Sequence, residues 1–142
     1  MQIIVKVTTD CNLRCVYCSE GNKPIKSLAP EIFYKLIDDL PELLDKYNEK
    51  KIEILWHGGE PLTIGRAILL DYMRYAKAHL KQYDIRFLMQ TNGYLLDDEW
   101  IKFCKENSIS LGISFDGYPE LHDANRRTKC DEPKSTKIVD NF

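Results

Sequence analysis

The stretch IIVKVTTDCNLRCVYC, residues 3–18, joins a short run of β-branched residues to three closely spaced cysteines. Ile3 to Val7 has the composition of a buried strand, and a polar loop follows it. The loop carries the pattern C-x3-C-x2-C, formed by Cys11, Cys15 and Cys18. Three thiolates without a neighbouring fourth predict a metal site in which one coordination position has no protein ligand.

Two chemistries are open for this loop. A structural zinc ion takes four protein ligands, so the fourth would have to come from His57 or from a distant cysteine. An iron–sulfur cluster of four irons held by three thiolates instead leaves one iron open for a reactant. The position of the loop at the start of an α/β pattern favours the cluster.

Strands and helices alternate along the rest of the chain. Three more strands are predicted, at Ile52 to Trp56, Ile85 to Met89 and Ile109 to Ile113. The predicted helices begin at Pro30, span Arg66 to Lys81, and run from a cap at Asp97 or Asp98 to Asn107. In the first helix Pro41 is expected to kink or divide the element, because proline removes a backbone donor. This alternation predicts an α/β fold with βαβ units and a parallel sheet.

A polar string follows each predicted strand. In a parallel sheet the carboxyl ends of the strands meet at one edge, which is where α/β proteins place their ligand sites. The four strings are Cys11 to Cys18, His57-Gly58-Gly59-Glu60-Pro61, Gln90-Thr91-Asn92-Gly93 and Ser114-Phe115-Asp116-Gly117. We therefore expect four separate segments of the chain to build one site.

Composition narrows the range of partners. The 142 residues carry a net charge of −2 with no long block of one sign, which gives no electrostatic footprint for nucleic acid or an anionic membrane. No apolar run is long enough to cross a bilayer, and the first residues do not resemble a signal peptide, so a cytoplasmic protein is expected. Five cysteines, three of them in one loop, argue for reduced thiols rather than a disulfide framework.

The motifs together resemble the radical S-adenosylmethionine (radical SAM) superfamily. The cysteine string with Tyr17 before its last cysteine is similar to the family signature. Further strings narrow the resemblance to one branch of that superfamily. They begin at Trp56, Gln90 and Ile113, and Leu121-His122-Asp123 and Asn125-Arg126-Arg127 follow them. They resemble the branch of anaerobic sulfatase-maturating enzymes and SPASM-type peptide and protein maturases. The resemblance runs from Val5 to about Arg127.

This resemblance implies a partial parallel (β/α) barrel, of which about four βα units are present. It implies that the three cysteines hold a [4Fe–4S] cluster and that SAM chelates the fourth iron. Reductive cleavage of SAM then gives a 5′-deoxyadenosyl radical, which removes a hydrogen atom from an unactivated carbon. A peptide or protein side chain is the implied substrate, as in formylglycine formation in a sulfatase or thioether formation in a peptide. A ferredoxin or flavodoxin is the implied electron donor.

The resemblance also assigns roles to single residues. Gly58 and Gly59 would let the backbone approach the methionine end of SAM, and Glu60 would accept from its ammonium group. Tyr17 and Ser114 resemble positions that contact the cofactor. Gln90 and Asp116 resemble positions that face the substrate or help to quench radical intermediates.

Simpler interpretations stay open for several of these residues. Gly58-Gly59-Glu60 is also typical of a turn at a strand end, and Asn92-Gly93 and Asp116-Gly117 are ordinary turn signals. His57 is expected to be structural. An arginine pair in a polar loop is more often solvated than functional, although Arg126 and Arg127 could pair with a carboxylate near the site. Cys104 is expected to be buried on a helix, and Cys130 is not assigned as a ligand.

Residues 1–142 are expected to be the N-terminal part of a radical SAM core, because two strands of the family barrel and a SPASM extension are not found. The chain would then be a fragment, a truncated product or a piece completed by another chain. One alternative function is a non-catalytic module that binds a cluster, zinc or a partner. An open-iron cluster at a reachable edge is expected to be labile in air.

Overall fold

The computed structural model describes residues 1–20, 23–128 and Ile138. Its strands are Gln2–Thr8 (β1), Leu13–Cys15 (β2), Lys51–Gly58 (β3), Asp84–Thr91 (β4), Ile109–Ile113 (β5) and Arg126–Thr128 (β6). The strands β1, β3, β4 and β5 form a four-stranded parallel sheet in the order β1-β3-β4-β5. The predicted α/β class and the predicted parallel sheet are confirmed.

Helices connect the parallel strands, as the alternation predicted. They are Pro30–Lys46 (α1), Arg66–His79 (α2), Asp98–Glu106 (α3) and Pro119–Asn125 (α4), with a 3₁₀ turn at Pro61–Ile64. The predicted ends of α3 are confirmed. Asp97 caps it by accepting from the Trp100 N–H at 2.7 Å, and Asn107 is its C-cap. None of the helices in the described ranges is long and apolar enough to cross a membrane.

The prediction that Pro41 could divide the first helix is wrong, because α1 continues through Pro41 as one element of 17 residues. A proline in a helix removes one backbone bond, at a cost of about 3 kcal/mol. Leu40 and Leu44 on either side of it are buried in the core. Burial of each leucine stabilises the helix by about 2 kcal/mol, so the packing offsets the lost bond.

Aromatic side chains join the helices to the sheet. Phe33 of α1 packs on Trp56 of β3 with ring centroids 5.6 Å apart and stacks on Tyr72 of α2 at 4.5 Å, and Trp56 stacks on Phe87 of β4 at 5.9 Å. Trp56, Phe33 and Tyr72 are completely buried. These contacts fix α1 and α2 relative to the strands, and so they fix the loops that leave the carboxyl edge of the sheet.

The structure contains a second, smaller sheet that the sequence did not predict. Strand β2, inside the cysteine loop, pairs antiparallel with β6, and Cys15 lies opposite Arg126. Strands of three residues are too short to show periodicity, and their pairing spans more than 100 residues of sequence. The helix α4 was also not predicted. The expected loop at Cys130 and the expected helix start at residues 135–142 lie outside the described residues, apart from Ile138.

Candidate functional site

The four polar strings meet at the carboxyl edge of the sheet, around a cavity of about 250 Å³. The cavity is lined by every predicted site residue except Glu60 and Asp116. Those lining residues are Cys11, Cys15, Tyr17, Cys18, Gly58, Gly59, Gln90 and Ser114. Much of the remaining cavity wall is formed by His57, Thr91, Asn92 and Arg126. The expectation that separated segments form one site is therefore met by the geometry.

The three loop cysteines are free thiols. Cys18 is exposed, whereas Cys11 and Cys15 are partly buried. Burial raises the pKa of Cys11 to about 11, although the Leu13 N–H, 3.4 Å from its Sγ, opposes that shift. Burial also raises the pKa of Cys15. Metal binding at these thiols must therefore release protons, because the thiolate is the ligand.

The donor set fits a cluster better than a single metal ion. In the described ranges, no three His, Cys, Asp or Glu side chains converge on one ion position. Zinc needs ligands within about 2.3 Å of one centre. A [4Fe–4S] cluster places each thiolate on a different iron, so its ligands surround a larger body. Three free thiols around one cavity match that requirement.

The Gly58–Gly59 pair brings the end of β3 against the start of the cysteine loop. A Cβ atom at Gly59 would lie 2.1 Å from the Asp10 backbone oxygen, and one at Gly58 would lie 2.2 Å from the Thr8 oxygen. The Gly59 N–H donates to Thr8 O at 2.8 Å, and the Glu60 N–H donates to Asp10 O at 2.7 Å. Glycine is required here so that two backbones can touch.

Glu60 is a buried junction between two loops. Its side chain is 1% exposed and accepts from the Leu62 N–H at 3.1 Å, the Thr91 hydroxyl at 2.7 Å and the Asn92 N–H at 2.8 Å. Burial raises the pKa of Glu60, and the three donors oppose that shift. The carboxylate thus joins the loop after β3 to the loop after β4. The contact with a SAM ammonium group stays a prediction.

Two asparagines lie beside Cys11, and neither was among the predicted site residues. Asn92 Nδ2 donates to Asn12 Oδ1 at 2.9 Å and lies 3.8 Å from Cys11 Sγ. Asn92 Oδ1 accepts from the Tyr94 N–H at 3.0 Å, so the turn interpretation of Asn92-Gly93 also describes this loop. The local sequence signals only the turn, because the contact with Cys11 spans 81 residues.

Gln90 and Ser114 form one polar unit across neighbouring strands. Gln90 Nε2 donates to Ser114 Oγ at 2.9 Å. A Cβ atom at Gly112 would lie 2.5 Å from Gln90 Oε1, so the missing side chain makes room for the amide. Both residues line the cavity and are only partly buried. The Gln90 amide is therefore held in place at the cavity wall.

Asp116 lies beside the cysteine loop. Its carboxylate accepts from the Tyr17 hydroxyl at 2.8 and 2.9 Å and from Arg126 Nε at 2.8 Å. Burial and the bond to Asp116 raise the pKa of Tyr17 to about 12, so the phenol keeps its proton and donates it. Arg126 is therefore paired, as one interpretation of the arginine pair expected. Arg127 is exposed and donates to the Ala124 carbonyl at 3.0 Å.

His122 on α4 gives a prediction about acid stability. The ring is fully buried against Phe115, and neither nitrogen has a hydrogen-bond partner among the described residues. Burial, and then the charge of Arg126, lowers the pKa of His122 below its usual value of 6.5. The unfolded chain therefore binds the proton more strongly, so this part of the stability is present above pH 6.5 and is lost as the pH falls below it.

We expect H122F to flatten the acid limb of the stability curve. Wild-type unfolding free energy should fall below pH 6.5 by up to about 1.4 kcal/mol per pH unit more than that of the variant. Urea unfolding at a series of pH values measures both slopes. Equal slopes in the two proteins would contradict the prediction.

The fold and the site define an α/β protein with three free thiols at the carboxyl edge of a parallel sheet, an arrangement that fits a metal cluster. The sequence profile of the Radical SAM superfamily matches residues 5–142. The chain belongs to the radical SAM superfamily, a family of enzymes.

Curated relatives agree with this assignment. The chain is 33% identical to a serine-type anaerobic sulfatase-maturating enzyme of Bacteroides thetaiotaomicron, over 98% of this chain and 35% of that protein. It is 29% identical to a cysteine-type enzyme of Clostridium novyi, over 99% and 38% respectively. An Fe-coproporphyrin III synthase of Methanosarcina barkeri is 34% identical over 89% of this chain and 30% of that protein. The chain spans between 30% and 38% of these relatives' length.

Solved structures match the fold over nearly the whole chain. A structure of anSMEcpe with bound AdoMet and the Kp18Cys peptide superposes with a TM-score of 0.84 and 28% identity. The match covers 99% of this chain and 38% of that one. A second anSMEcpe structure with bound AdoMet alone gives a TM-score of 0.82 at 28% identity, with the same coverage. The family and these structures support a [4Fe–4S] cluster and SAM as the cofactors.

Proposed function

We propose that this chain is the N-terminal part of a radical SAM core that modifies a side chain of a peptide or protein. The observation that carries the proposal is the cavity shared by the loop thiols and the glycine pair after β3. Three free thiols can hold a cluster with one open iron, and the glycine pair lets the backbone after β3 lie directly against the start of the cysteine loop at this cavity.

The residues take the following roles in this proposal. Cys11, Cys15 and Cys18 ligate the cluster, which together with SAM supplies a 5′-deoxyadenosyl radical for hydrogen-atom abstraction. Gly58 and Gly59 keep the backbone after β3 in contact with the start of the cysteine loop. Tyr17 and Ser114 lie on the cavity wall, where they can contact the nucleoside part of SAM.

The substrate class rests on the relatives and on one residue of the wall. Two matched anSMEcpe structures hold 18Cys peptides, and two of the curated relatives reported above are named for maturing sulfatases. Oxidation of a cysteine or serine side chain to formylglycine is therefore the leading reaction. Gln90 is the candidate to face the substrate, because its amide is fixed at the cavity by Ser114. The substrate role of Asp116 finds less support, because both carboxylate oxygens are already engaged.

The electron donor and the location complete the proposal. A ferredoxin or flavodoxin would reduce the cluster, because the solvent-exposed Cys18 places one edge of it within reach of a docked protein. We place the protein in the cytoplasm, because three reduced thiols and an open-iron cluster need a reducing compartment.

Metal content and SAM cleavage test the proposal. The 142-residue chain is reconstituted anaerobically with iron and sulfide, reduced, and incubated with SAM. About four irons per chain and formation of methionine and 5′-deoxyadenosine are expected. Substituting any one of Cys11, Cys15 or Cys18 by serine should abolish both. C104S is the matched control, because Cys104 is buried on α3 and does not line the cavity. If C104S lost its iron while the three loop-cysteine variants kept theirs, the assignment would be contradicted.

A further inference from the structure

The turn between the second and third cysteine is held from outside the cysteine loop. Tyr17 lies between Cys15 and Cys18, and its hydroxyl donates to Asp116, 99 residues away. Asp116 also accepts from Arg126 Nε at 2.8 Å, and the Arg126 guanidinium lies 5.6 Å from the centre of the Tyr17 ring. We call the three side chains Tyr17, Asp116 and Arg126 the loop latch.

The loop latch is shielded from solvent at its ionic end. The side chains of Arg126 and Asp116 are 15% and 14% exposed. Burial disfavours the charged carboxylate, but the bonds from Arg126 and Tyr17 outweigh burial, and the pKa of Asp116 lies below its usual value. A shielded, charge-assisted pair is stronger than an exposed surface pair, which contributes little.

Backbone bonds place the latch next to two of the cluster ligands. Cys15 on β2 lies opposite Arg126 on β6, and the Val16 N–H donates to the Asn125 carbonyl at 2.9 Å. Val16 and Tyr17 themselves are 63% and 55% exposed, so the turn has little burial of its own to fix it. The segment after β5 therefore supplies the contacts that order this turn.

We propose that Asp116 and Arg126 are positioning residues that hold the Cys15–Cys18 turn, and with it two of the three cluster ligands, in the geometry that retains the cluster. This role rests on the proposed function. It also differs from the expected one, in which Asp116 faces the substrate. Both oxygens of Asp116 accept hydrogen bonds within the latch, so the carboxylate acts through Tyr17 and Arg126 and not on the reacting atoms.

Cluster retention is the direct readout. Iron release from the anaerobically reconstituted chain to a chelator is followed for R126A, D116N, R126K and R127A. Loss of a charge-assisted bond predicts release about tenfold faster in R126A and D116N. R126K keeps the charge without the planar donor and should restore part of the retention. R127A is the matched control, because Arg127 is the neighbouring exposed arginine and lies outside the latch.

A double-variant cycle separates the latch from two independent effects. If Asp116 and Arg126 act together, D116N/R126A should release iron no faster than either single variant. The reduced cluster's electron paramagnetic resonance spectrum with SAM should broaden in the single variants, because the ligand turn is less ordered. Wild-type iron release and spectra in D116N, with loss only of SAM-dependent turnover, would overturn the proposal and make Asp116 a catalytic residue.

A measurement on the metal-free chain keeps the two proposals distinct. If the wild-type chain takes up no cluster, the proposed function fails. Hydrogen exchange of the metal-free chain then tests whether the loop latch orders the Cys15–Cys18 turn. The Val16 amide hydrogen, which is bonded to the Asn125 carbonyl, should exchange about tenfold faster in R126A and D116N than in the wild type. The β4 amides should exchange at the wild-type rate. Unchanged Val16 exchange in both variants would overturn the latch, and faster exchange throughout β4 would show general unfolding instead.

Discussion

Replacing Gly59 by alanine should destroy the fold of the site, because the new Cβ would lie 2.1 Å from the Asp10 backbone oxygen. Neither backbone can move without separating the ends of β1 and β3. Separation breaks the bonds from the Gly59 N–H to Thr8 O and from the Glu60 N–H to Asp10 O. We expect G59A to lose more than about 3 kcal/mol of unfolding free energy and to take up no cluster.

The control for this prediction uses two other glycines. Gly65 and Gly117 have positive φ angles of 90° and 88°, and a Cβ atom at either position meets nothing within 4 Å. Alanine there costs only the conformational strain, about 1 kcal/mol. Thermal unfolding should give a Tm lower by about 10 °C or more in G59A and by about 4 °C in G65A or G117A. A G59A chain as stable as G65A would show that the close approach does not exist.

Removing the Glu60 carboxylate should cost nearly as much. E60A leaves the Leu62 N–H, the Thr91 hydroxyl and the Asn92 N–H without an acceptor in a buried place. Each unsatisfied buried donor costs about 1–3 kcal/mol, and water entering the gap recovers part of that. We expect a loss of about 3 kcal/mol in urea unfolding of the metal-free chain, before any cofactor is present.

Two variants sharpen the test of Glu60. E60Q keeps the shape but turns an NH₂ group toward one of the three donors, so its stability should lie between wild type and E60A. E53A, on the preceding strand β3, removes a carboxylate whose bond to Gln2 is exposed, and should cost less than about 0.5 kcal/mol. If E60A and E60Q unfold like wild type and only bind SAM more weakly, Glu60 is a SAM ligand and not a junction.

Local sequence patterns were sufficient for the sheet and for the edge that carries the site. The short apolar-rich runs before Cys11, His57, Gln90 and Ser114 mark four strand ends, and parallel pairing brings those ends together. Residues that needed only this placement, such as the three cysteines and Gln90, were predicted to line the site and do so.

The side-chain contacts that the sequence did not predict share a physical cause, which is that their partners are distant in sequence. The donors to Glu60 at Thr91 and Asn92 are more than 30 residues away, at the end of the neighbouring strand, so no local pattern signals them. The pairing of Asp116 with Tyr17 depends on the short β2–β6 sheet, which no periodicity marks. Burial of Leu40 and Leu44 likewise overrode the local effect of Pro41.

We propose above all that three thiolates hold a cluster whose open iron binds SAM. Electron paramagnetic resonance of the reduced, anaerobically reconstituted chain, with and without SAM, tests this most directly. We expect a [4Fe–4S] signal that changes when SAM is added and that is absent when Cys18 is replaced by serine. A cluster signal that is indifferent to SAM would contradict the claim.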